Sequence, residues 1–335
     1  RIGPFTYEGR LETESAPKTC ALFRTLLPVQ SQVVHVRWSG EGVWIPFGDN
    51  RFTLPHENAT SHPAPGQFIL YPGGVSEAEI LLAHLLERST AWLIAWSDTR
   101  LSDQQIHSYT ALVERRIQGT PIAHLTAQRE FWSLQLRVTP DTLVPRPETE
   151  LLVESCLDLC PAGESLTAVD LGTGCGAIAL AIAAERPQWR ILATDQSHHA
   201  LQVAAHNAAS LRVDNVRFFQ GDWCDALPGG TKVDILISNP PYIPDDDPHL
   251  QQGDLRFEPR TALASGADGL DAIRLLSSPA ASFLRPGGRL LLEHGYDQGN
   301  AVRQRLREAM FDTIATRIDL AGHERVATAR RPGSE

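Results

Sequence analysis

No apolar run in the sequence approaches ~18 residues, the length at which a helix becomes a candidate for crossing a membrane. Cysteine is scarce: the 335 residues include five, an odd number without framework spacing, which favours a reducing compartment such as the cytoplasm. Lysine and arginine number 30 against 40 acidic residues, and the formal charge of −10 disfavours a broad nucleic-acid surface. We therefore expect neither membrane insertion nor direct nucleic-acid binding.

Metal-ligand patterns are also missing from the sequence. Cys156 and Cys160 lie four residues apart on a predicted helix, but no further Cys/His pair completes a zinc set, so both are interpreted as packing residues. The acidic run 245–247 lacks supporting ligands and is interpreted as a solvated loop. The sequence predicts no metal site.

The pattern along the chain changes in ways that predict four parts. Residues 1–75 carry short alternating runs between turn residues and predict β-strands. Residues 76–122 have leucines at helical spacing and predict a small helical domain, and residues 123–150 predict a β-hairpin and a linker. Residues 151–335 alternate apolar strands with amphipathic helices. That alternation predicts an α/β fold with a Rossmann-like, doubly wound, mostly parallel sheet, closed by an antiparallel C-terminal hairpin.

A glycine-rich loop follows the first strand of this part, in the segment DLGTGCG (170–176). Glycines let the backbone approach a ligand, and an acid that ends the next strand, Asp195, is placed to bind ribose hydroxyls. The spacing GxGxG and the preceding Asp170 favour a cationic methyl donor over the pyrophosphate of NAD, because a carboxylate repels phosphate. A tight turn without a ligand is the remaining alternative. After the third strand, Trp223 is either an adenine contact or a core residue.

The second motif is the tetrapeptide Asn239-Pro240-Pro241-Tyr242 at the end of the apolar run KVDILIS. The nitrogen of a planar amide or amine is a poor nucleophile and needs acceptors that bind its hydrogens while the nitrogen faces an electrophile. The Asn239 side-chain oxygen and the Pro240 carbonyl are candidate acceptors, and Tyr242 offers a ring or a hydroxyl. The prolines fix the backbone and remove competing N–H donors. The two motifs together predict methyl transfer.

Six ordered segments extend this pattern over residues 76–332: REFWSLQLRVTPDTLVPRPETELLVE, DLGTGCGAIALA, SNPPYIP, FEPRTALASGADGLDAIR, LRPGGRLLLEHG and DLAGHERVATAR. Together they resemble the bacterial release-factor glutamine methyltransferases, class I enzymes that use S-adenosylmethionine. The tetrapeptide alone is shared with DNA adenine, rRNA guanine and ribosomal-protein glutamine methyltransferases. The segments VPRPETE and EFWSL favour the release-factor group.

The resemblance implies a reaction and a set of site residues. The reaction is conversion of glutamine to N5-methylglutamine in the GGQ loop of peptide-chain release factors. Asn239, Pro240 and Tyr242 are the implied catalytic residues, and residues 239–242 grip the glutamine side chain. Cys175 replaces a small hydroxyl residue; a reactive thiol is the alternative. The implied cofactor contacts are Asp170, Gly172, Thr173, Gly174, Cys175, Gly176, Asp195, Trp223 and Asn239.

Several other polar residues receive structural interpretations. Glu258 and Arg260 are predicted to form an ion pair beside the acceptor loop. Glu293 and His294 end a predicted strand and are interpreted as a polar rim rather than a general base. By analogy alone, Arg146 and Glu148 are candidates for a lid.

The front of the chain departs from the family, because the expected first helix is missing. Residues 1–75 instead resemble about half of a small cyclophilin-like barrel of unassigned function, on the segments APKTCALF, VVHVRWSGEGVWIP, ENATSHPAPGQFILYPGG and VSEAEILL. The join is predicted near SEAEILL. Half a barrel has open strand edges that need covering. Two alternatives to release-factor methylation stay open: methylation of a nucleic-acid amino group or another protein, and a scaffold with an inactive catalytic half.

Overall fold

The computed structural model describes residues 34–35, 43–44, 75–96, 98–160 and 163–333. The chain divides into two compact units, Arg1–Glu114 and Arg115–Glu335. The predicted β-rich segment 1–75 and its cyclophilin-like resemblance lie outside the described residues, apart from two short strands. These strands, β1 (Val34–His35) and β2 (Val43–Trp44), pair antiparallel within the runs VVHVRW and GVWIP.

The described helices of the first unit are α1 (Val75–Leu86), α2 (Thr90–Ala95) and α3 (Asp103–Ile117), of which α3 runs across the boundary between the units. The leucine spacing predicted α1, and the segment DQQIHSYTALVERRIQG predicted a second helix, which corresponds to α3 and ends at Ile117. The short helix α2 was not predicted; the Ser89 side chain caps it by accepting from the Trp92 amide at 3.2 Å. Tyr109 of α3 donates to the Ala78 carbonyl of α1 at 3.2 Å.

The second unit opens with helix α4 (Ile122–Thr126) and a hairpin of β3 (Gln128–Phe131) and β4 (Leu134–Arg137). Trp132 and Ser133 form the two-residue turn with φ of 53° and 61°. Left-handed conformations at both positions match the twist of the flanking strands. The hairpin predicted from EFWSLQLRVTP is confirmed.

A seven-stranded sheet forms the centre of the second unit, and helices pack against it. Its strands are β5 (Thr167–Leu171), β6 (Arg190–Asp195), β7 (Val216–Gln220), β8 (Val233–Ser238), β9 (Leu284–Glu293), β10 (Asp312–Ile318) and β11 (Glu324–Arg330). Its helices are α5 (Glu150–Leu159), α6 (Ala177–Glu185), α7 (His198–Leu211), α8 (Asp271–Phe283) and α9 (Gly299–Glu308).

The strand order in this sheet is β10-β11-β9-β8-β5-β6-β7. The chain starts at β5, adds β6 and β7 on one side, and then returns to add β8 and β9 on the other, so the order reverses between β5 and β8. Strands β5 to β9 are parallel, whereas β11 runs antiparallel to both β9 and β10. This arrangement confirms the predicted doubly wound, mostly parallel sheet with its antiparallel hairpin. Ligands of such sheets bind where the strand order reverses.

Candidate active site

The glycine loop and the NPPY tetrapeptide begin side by side at the reversal of the sheet. Leu171 and Ser238 are partners at the carboxyl ends of β5 and β8, and the Ser238 hydroxyl donates to the Leu171 carbonyl at 2.7 Å. Gly172 follows Leu171 directly, and Asn239 follows Ser238 directly. The fold therefore brings together the two motifs that the sequence assigned to cofactor and acceptor.

The three glycines of the loop have left-handed backbones, with φ of 74° at Gly172, 58° at Gly174 and 88° at Gly176. A β-carbon on Gly176 would lie 3.2 Å from the β-carbon of Ala204, so the loop packs tightly onto α7 there. A β-carbon on Gly174 would meet no atom of the described residues within 4 Å. The loop thus has one packed side and one open side, which is the side available to a ligand.

Trp223 lies against the same loop, three residues after the end of β7. A β-carbon built on Gly172 would lie 3.2 Å from the Trp223 ring. The indole is only half-buried, and its backbone has a φ of 43°. Trp223 is therefore beside the loop, as a cofactor contact requires, rather than in the centre of the core.

The loop amides are engaged within the protein. Gly172 and Thr173 both donate to the Thr194 carbonyl at 2.9 Å, and Gly174 donates to Asp195 Oδ2 at 2.9 Å. A pyrophosphate is bound by free amides at such a turn. With three amides engaged and two carboxylates beside them, this loop disfavours a dinucleotide.

Asp170 is buried at the end of β5, with 1% of its surface exposed. Its Oδ2 accepts from the Thr173 hydroxyl at 2.6 Å and from the Ala179 amide at 3.2 Å, while Oδ1 has no partner among the described residues. Burial raises its pKa to about 7, although these hydrogen bonds oppose the shift. A buried carboxylate oxygen without a donor fits the ammonium group of S-adenosylmethionine.

Asp195 ends β6 on the other side of the loop. Its carboxylate accepts from the Ser197 amide and from the Gly174 amide, both at 2.9 Å. Burial raises its pKa, and these two donors partly offset the rise. The carboxylate is fixed and only partly covered, and its remaining lone pairs suit the hydroxyl donors of a ribose.

The NPPY tetrapeptide (residues 239–242) forms a corner of the chain, the NPPY corner, and polar contacts hold it at both ends. Asn239 Nδ2 donates to the Thr149 hydroxyl at 3.1 Å. The Tyr242 hydroxyl donates to Glu293 Oε1 at 3.3 Å, and Gln298 Nε2 donates to the Tyr242 carbonyl at 2.9 Å. Burial raises the pKa of Tyr242, so its hydroxyl stays protonated. The corner is therefore a rigid acceptor site.

Glu293 and His294 are fully buried, at 1% and 0% exposure, so their interpretation as a polar rim is wrong. Burial raises the pKa of Glu293 to about 7, and the nearby hydroxyls of Thr149 and Tyr242 and the charge of Arg325 oppose this rise. Its Oε2 has no hydrogen-bond partner in the part of the chain that the structure describes. Glu293 is therefore part of the site's interior rather than of its surface.

The predicted ion pair between Glu258 and Arg260 is also wrong. Glu258 pairs with Arg146 and accepts from the Val144 amide at 3.0 Å. Arg260 instead donates to the Asp245 carbonyl at 2.6 Å. The segment PRPE is thereby fastened to the loop that follows the NPPY corner.

One polar residue that holds the glycine loop, Asn207, was not predicted from the sequence. Asn207 of α7 accepts from the Arg137 amide at 2.8 Å and donates to the carbonyls of Arg137 and Cys175 at 3.0 and 2.9 Å. The sequence signal for Asn207 was a single amide side chain on the otherwise apolar face of α7. Burial raises the pKa of Cys175 to about 12, so its thiol stays protonated and is not a reactive group.

Two negative findings concern the described residues alone. The described residues include no group of three or more His, Cys, Asp or Glu side chains that could hold a metal ion. Among the same residues, no helix has the length and apolar character needed to span a membrane.

Comparison with protein families gives three matches. The family "Protein of unknown function (DUF3830)" matches residues 3–93, "PrmC N-terminal domain" matches residues 72–126, and "Methyltransferase small domain" matches residues 147–253. The first two overlap over residues 72–93, which contain the predicted join. The cyclophilin-like character of the front segment stays a prediction.

Curated relatives named release factor glutamine methyltransferase match most of the chain. The protein of Xylella fastidiosa (strain 9a5c) is 50% identical over 77% of this chain and 93% of its own length. That of Coxiella burnetii is 50% identical over 76% of this chain and 91% of its own. The Escherichia coli (strain K12) protein is 47% identical over the same shares, 76% and 91%.

A solved structure is also similar to this chain. It is the protein-(glutamine-N5) methyltransferase (release factor-specific) of Alicyclobacillus acidocaldarius, 27% identical. The match covers 59% of this chain and 99% of that one, with a TM-score of 0.37.

Proposed function

The chain belongs to the release factor glutamine methyltransferases, and from that premise we propose a role for each residue of its site. The protein is an S-adenosylmethionine-dependent methyltransferase whose substrates are release factors. The finer proposal is that it methylates the side-chain amide nitrogen of the glutamine in the GGQ loop of a peptide-chain release factor, in the cytoplasm. The observation that carries the proposal is the pairing of Leu171 with Ser238, which starts both motifs at one point of the sheet.

The cofactor is held by the glycine loop and three acidic or aromatic side chains around it. Asp170 offers Oδ1, which has no partner among the residues that the structure describes, to the ammonium group, and Asp195 accepts from the ribose hydroxyls. Trp223 packs beside the adenine. The open side of Gly174 leaves room for the cofactor. The rest of the loop is formed by Gly172, Thr173, Cys175 and Gly176. When bound, S-adenosylmethionine supplies a methyl group on a sulfonium centre, a strong electrophile.

The substrate amide is held by the NPPY corner. The Asn239 side-chain oxygen and the Pro240 carbonyl accept its two N–H hydrogens, and Pro241 keeps the backbone rigid between them. Tyr242 packs against the flat amide, with its carbonyl braced by Gln298. The nitrogen lone pair is thereby turned toward the cofactor side of the corner, where β5 ends.

Catalysis by these residues is mainly positioning. As the nitrogen gains a methyl group it becomes cationic and its hydrogens become more acidic, so acceptors at Asn239 and Pro240 bind more strongly in the transition state than in the ground state. One of those hydrogens leaves as a proton once the new bond has formed, and water can take it. The site therefore needs no dedicated general base.

The test is incubation of the full chain with labelled S-adenosylmethionine and a purified release factor, followed by mass-spectrometric mapping of the methyl group. We expect one methyl group on the GGQ glutamine, and none when that glutamine is replaced by alanine. Methyl groups on DNA, rRNA or a ribosomal protein instead would overturn the proposed substrate. Cofactor binding without any transfer would identify a scaffold.

A further inference from the structure

An exposed apolar surface lies at the same edge of the sheet as the NPPY corner. It comprises Tyr296 after β9, Ile318 at the end of β10 and Leu320 in the turn between β10 and β11, and we call these three residues the edge surface. Tyr296 is 64% exposed, Ile318 60% and Leu320 78%. Exposed apolar side chains that gather at one place, rather than lying scattered, mark a surface for another molecule.

Strand register places the edge surface next to the acceptor site. Ser238, which precedes the NPPY corner, is paired with Leu292 of β9, so the segment after β9 lies beside the corner. Glu293 is paired with Val326 near the start of β11, so the turn before β11 lies one strand further along the same edge. Neighbouring strands are ~4.8 Å apart, and two such steps place the turn about 10 Å from the corner.

One side chain joins the corner to the segment that carries Tyr296. Gln298 Nε2 donates to the Tyr242 carbonyl at 2.9 Å, and Gln298 Oε1 accepts from the Gly295 amide, also at 2.9 Å. The Tyr296 ring meets the His323 ring edge-on, with the centroids 5.7 Å apart. The acceptor corner, the segment after β9 and the turn before β11 are therefore linked by direct contacts.

The turn that carries Leu320 is held as a rigid unit by one carboxylate. Asp319 Oδ1 accepts from the amides of Ala321 and His323, both at 2.9 Å. Asp319 Oδ2 accepts from Arg325 Nε at 3.0 Å, and the Asp319 amide donates to the His323 carbonyl at 2.8 Å. A turn that is already ordered loses little conformational freedom when its exposed side chain is covered, which favours binding.

A release factor is a protein, so it covers more of this enzyme than the place of one glutamine side chain. A specific protein interface buries about 800 Å² on each partner, which corresponds to a patch roughly 30 Å across. A patch of that size centred on the NPPY corner includes the edge surface, about 10 Å away. Aromatic side chains such as Tyr296 are enriched in protein interfaces.

Resting on the proposed function, we propose that the edge surface is a docking surface for the release factor whose glutamine occupies the NPPY corner. Tyr296, Ile318 and Leu320 pack against apolar side chains of that protein beside its glutamine loop. These contacts contribute binding energy away from the reacting atoms and hold the glutamine at the corner. The edge surface therefore determines the affinity for the whole release factor, whereas the NPPY corner acts on the transfer step.

The decisive variants are Tyr296→Ala and Leu320→Ser, both at exposed positions. We expect each to raise the KM and the dissociation constant for the release factor about 5- to 30-fold, as is typical of contacts that carry interface energy. At saturating release factor kcat should fall less than about twofold, because these contacts are equally strong in the ground state and in the transition state. The dissociation constant for S-adenosylmethionine should also change less than about twofold, because neither residue is part of the glycine loop.

Met310→Ser is the matched control for Leu320→Ser. Met310 is 77% exposed, almost the same as Leu320, but it lies just before β10 at the opposite edge of the sheet, where Asp312 is paired with Arg330. Both variants replace an exposed apolar side chain by serine, so effects on solubility should be alike. A rise in KM with Leu320→Ser and none with Met310→Ser would assign the effect to the edge surface.

The dissociation constant for the release factor is measured by calorimetry with S-adenosylhomocysteine bound, which has no methyl group to transfer. An unchanged KM and dissociation constant in the double variant of Tyr296→Ala and Leu320→Ser, or an equal rise with Met310→Ser, would overturn the inference while wild-type methylation still stands. A wild-type dimer that Leu320→Ser dissociates would also overturn it, because a second copy of this chain would then occupy the surface. A wild-type protein that binds a release factor through this surface but does not methylate it would instead overturn the proposed function.

Discussion

The α-carbon of Gly269 faces the carbonyl oxygen of Tyr242 so closely that a β-carbon built on it would overlap that oxygen. Gly269 also has a φ of 74°, which side chains other than glycine rarely adopt. We predict that Gly269→Ala displaces the last residue of the NPPY corner and lowers kcat about tenfold or more, since small misplacements are costly in positioning catalysis. Steady-state methylation of a release factor measures this.

Gly230→Ala is the control for backbone strain in that experiment. Gly230 has a φ of 76°, and its β-carbon would meet no described atom within 4 Å. We expect it to cost about 1–2 kcal/mol of stability and leave kcat unchanged. Equal kcat losses in the two variants would contradict the role of Gly269 as a spacer beneath Tyr242.

Asn239→Ala should act on turnover rather than on cofactor binding. Removing one preorganised acceptor from the site is expected to cost about 2–4 kcal/mol of transition-state stabilisation. The loss should appear in kcat, because the acceptor binds most strongly as the amide nitrogen becomes cationic. Near-normal turnover on a GGQ-containing release factor would contradict the assignment.

Turnover and stability should depend on the charge of Glu293 in opposite directions. Its pKa is raised to about 7 by burial, so the carboxyl becomes protonated as the pH falls through that value. We predict that kcat declines below about pH 7, because a protonated carboxyl is a weaker acceptor for the Tyr242 hydroxyl, which donates to Glu293 Oε1 at 3.3 Å. Glu293→Gln should remove this part of the pH profile of kcat.

Stability follows the opposite sign for the same carboxyl. Its folded pKa lies above the ordinary value of 4.5, so its stabilising contribution is complete below that ordinary value and is lost as the pH rises through about 7. The loss amounts to about 3 kcal/mol at most. Urea unfolding at a series of pH values should show a smaller decline for Glu293→Gln than for the wild type.

Cofactor affinity should weaken in acid because of Asp170. Burial raises its pKa to about 7, and an ammonium group beside Oδ1 would favour the ionised form. Binding below that pH must then release a proton, and the affinity should fall about tenfold for each pH unit. Calorimetry in two buffers of different ionisation enthalpy counts the proton. No proton release at pH 6 would contradict the ammonium contact.

Asn207 and Asn215 offer a comparison between support of the cofactor loop and support of an ordinary turn. Each amide makes three hydrogen bonds, but Asn207 contacts the Cys175 carbonyl, whereas Asn215 donates only to Ala183, Arg186 and Trp189 among the described residues. Both alanine variants should lose about 2–4 kcal/mol of stability. Only Asn207→Ala should also weaken S-adenosylmethionine binding at a temperature where both remain folded.

Strand and helix positions of the second unit could be predicted because short apolar runs mark its strands and apolar residues at helical spacing mark its helices. Within the alternating part 151–335, α7 spans the segment HHALQVAAHNAASL, in which the apolar residues recur at helical spacing. The short helix α2 could not be predicted in this way, because its six residues make too few turns to show a helical spacing of apolar residues. Its start is set instead by the cap at Ser89. Local signals therefore identified the long elements and missed the short one.

The site was predictable where a motif carries its own chemistry, as at Asn239 and the glycine loop. Partners that meet only through the fold were not. Glu258 was assigned to its sequence neighbour Arg260, yet it pairs with Arg146, 112 positions away. Thr149 meets Asn239, and Glu293 meets Tyr242, from distant segments of the chain. Burial, which no short pattern encodes, raises the pKa of Glu293.

Strand β11 lies between β9 and β10 and pairs with both. A chain cut ahead of Glu324 would lose β11, and β9, the strand that ends in Glu293, would then have one edge with unpaired backbone amides and carbonyls. Exposed flanks of that kind recruit strands from other molecules. Proteolysis at this point should therefore yield aggregates rather than a smaller working enzyme.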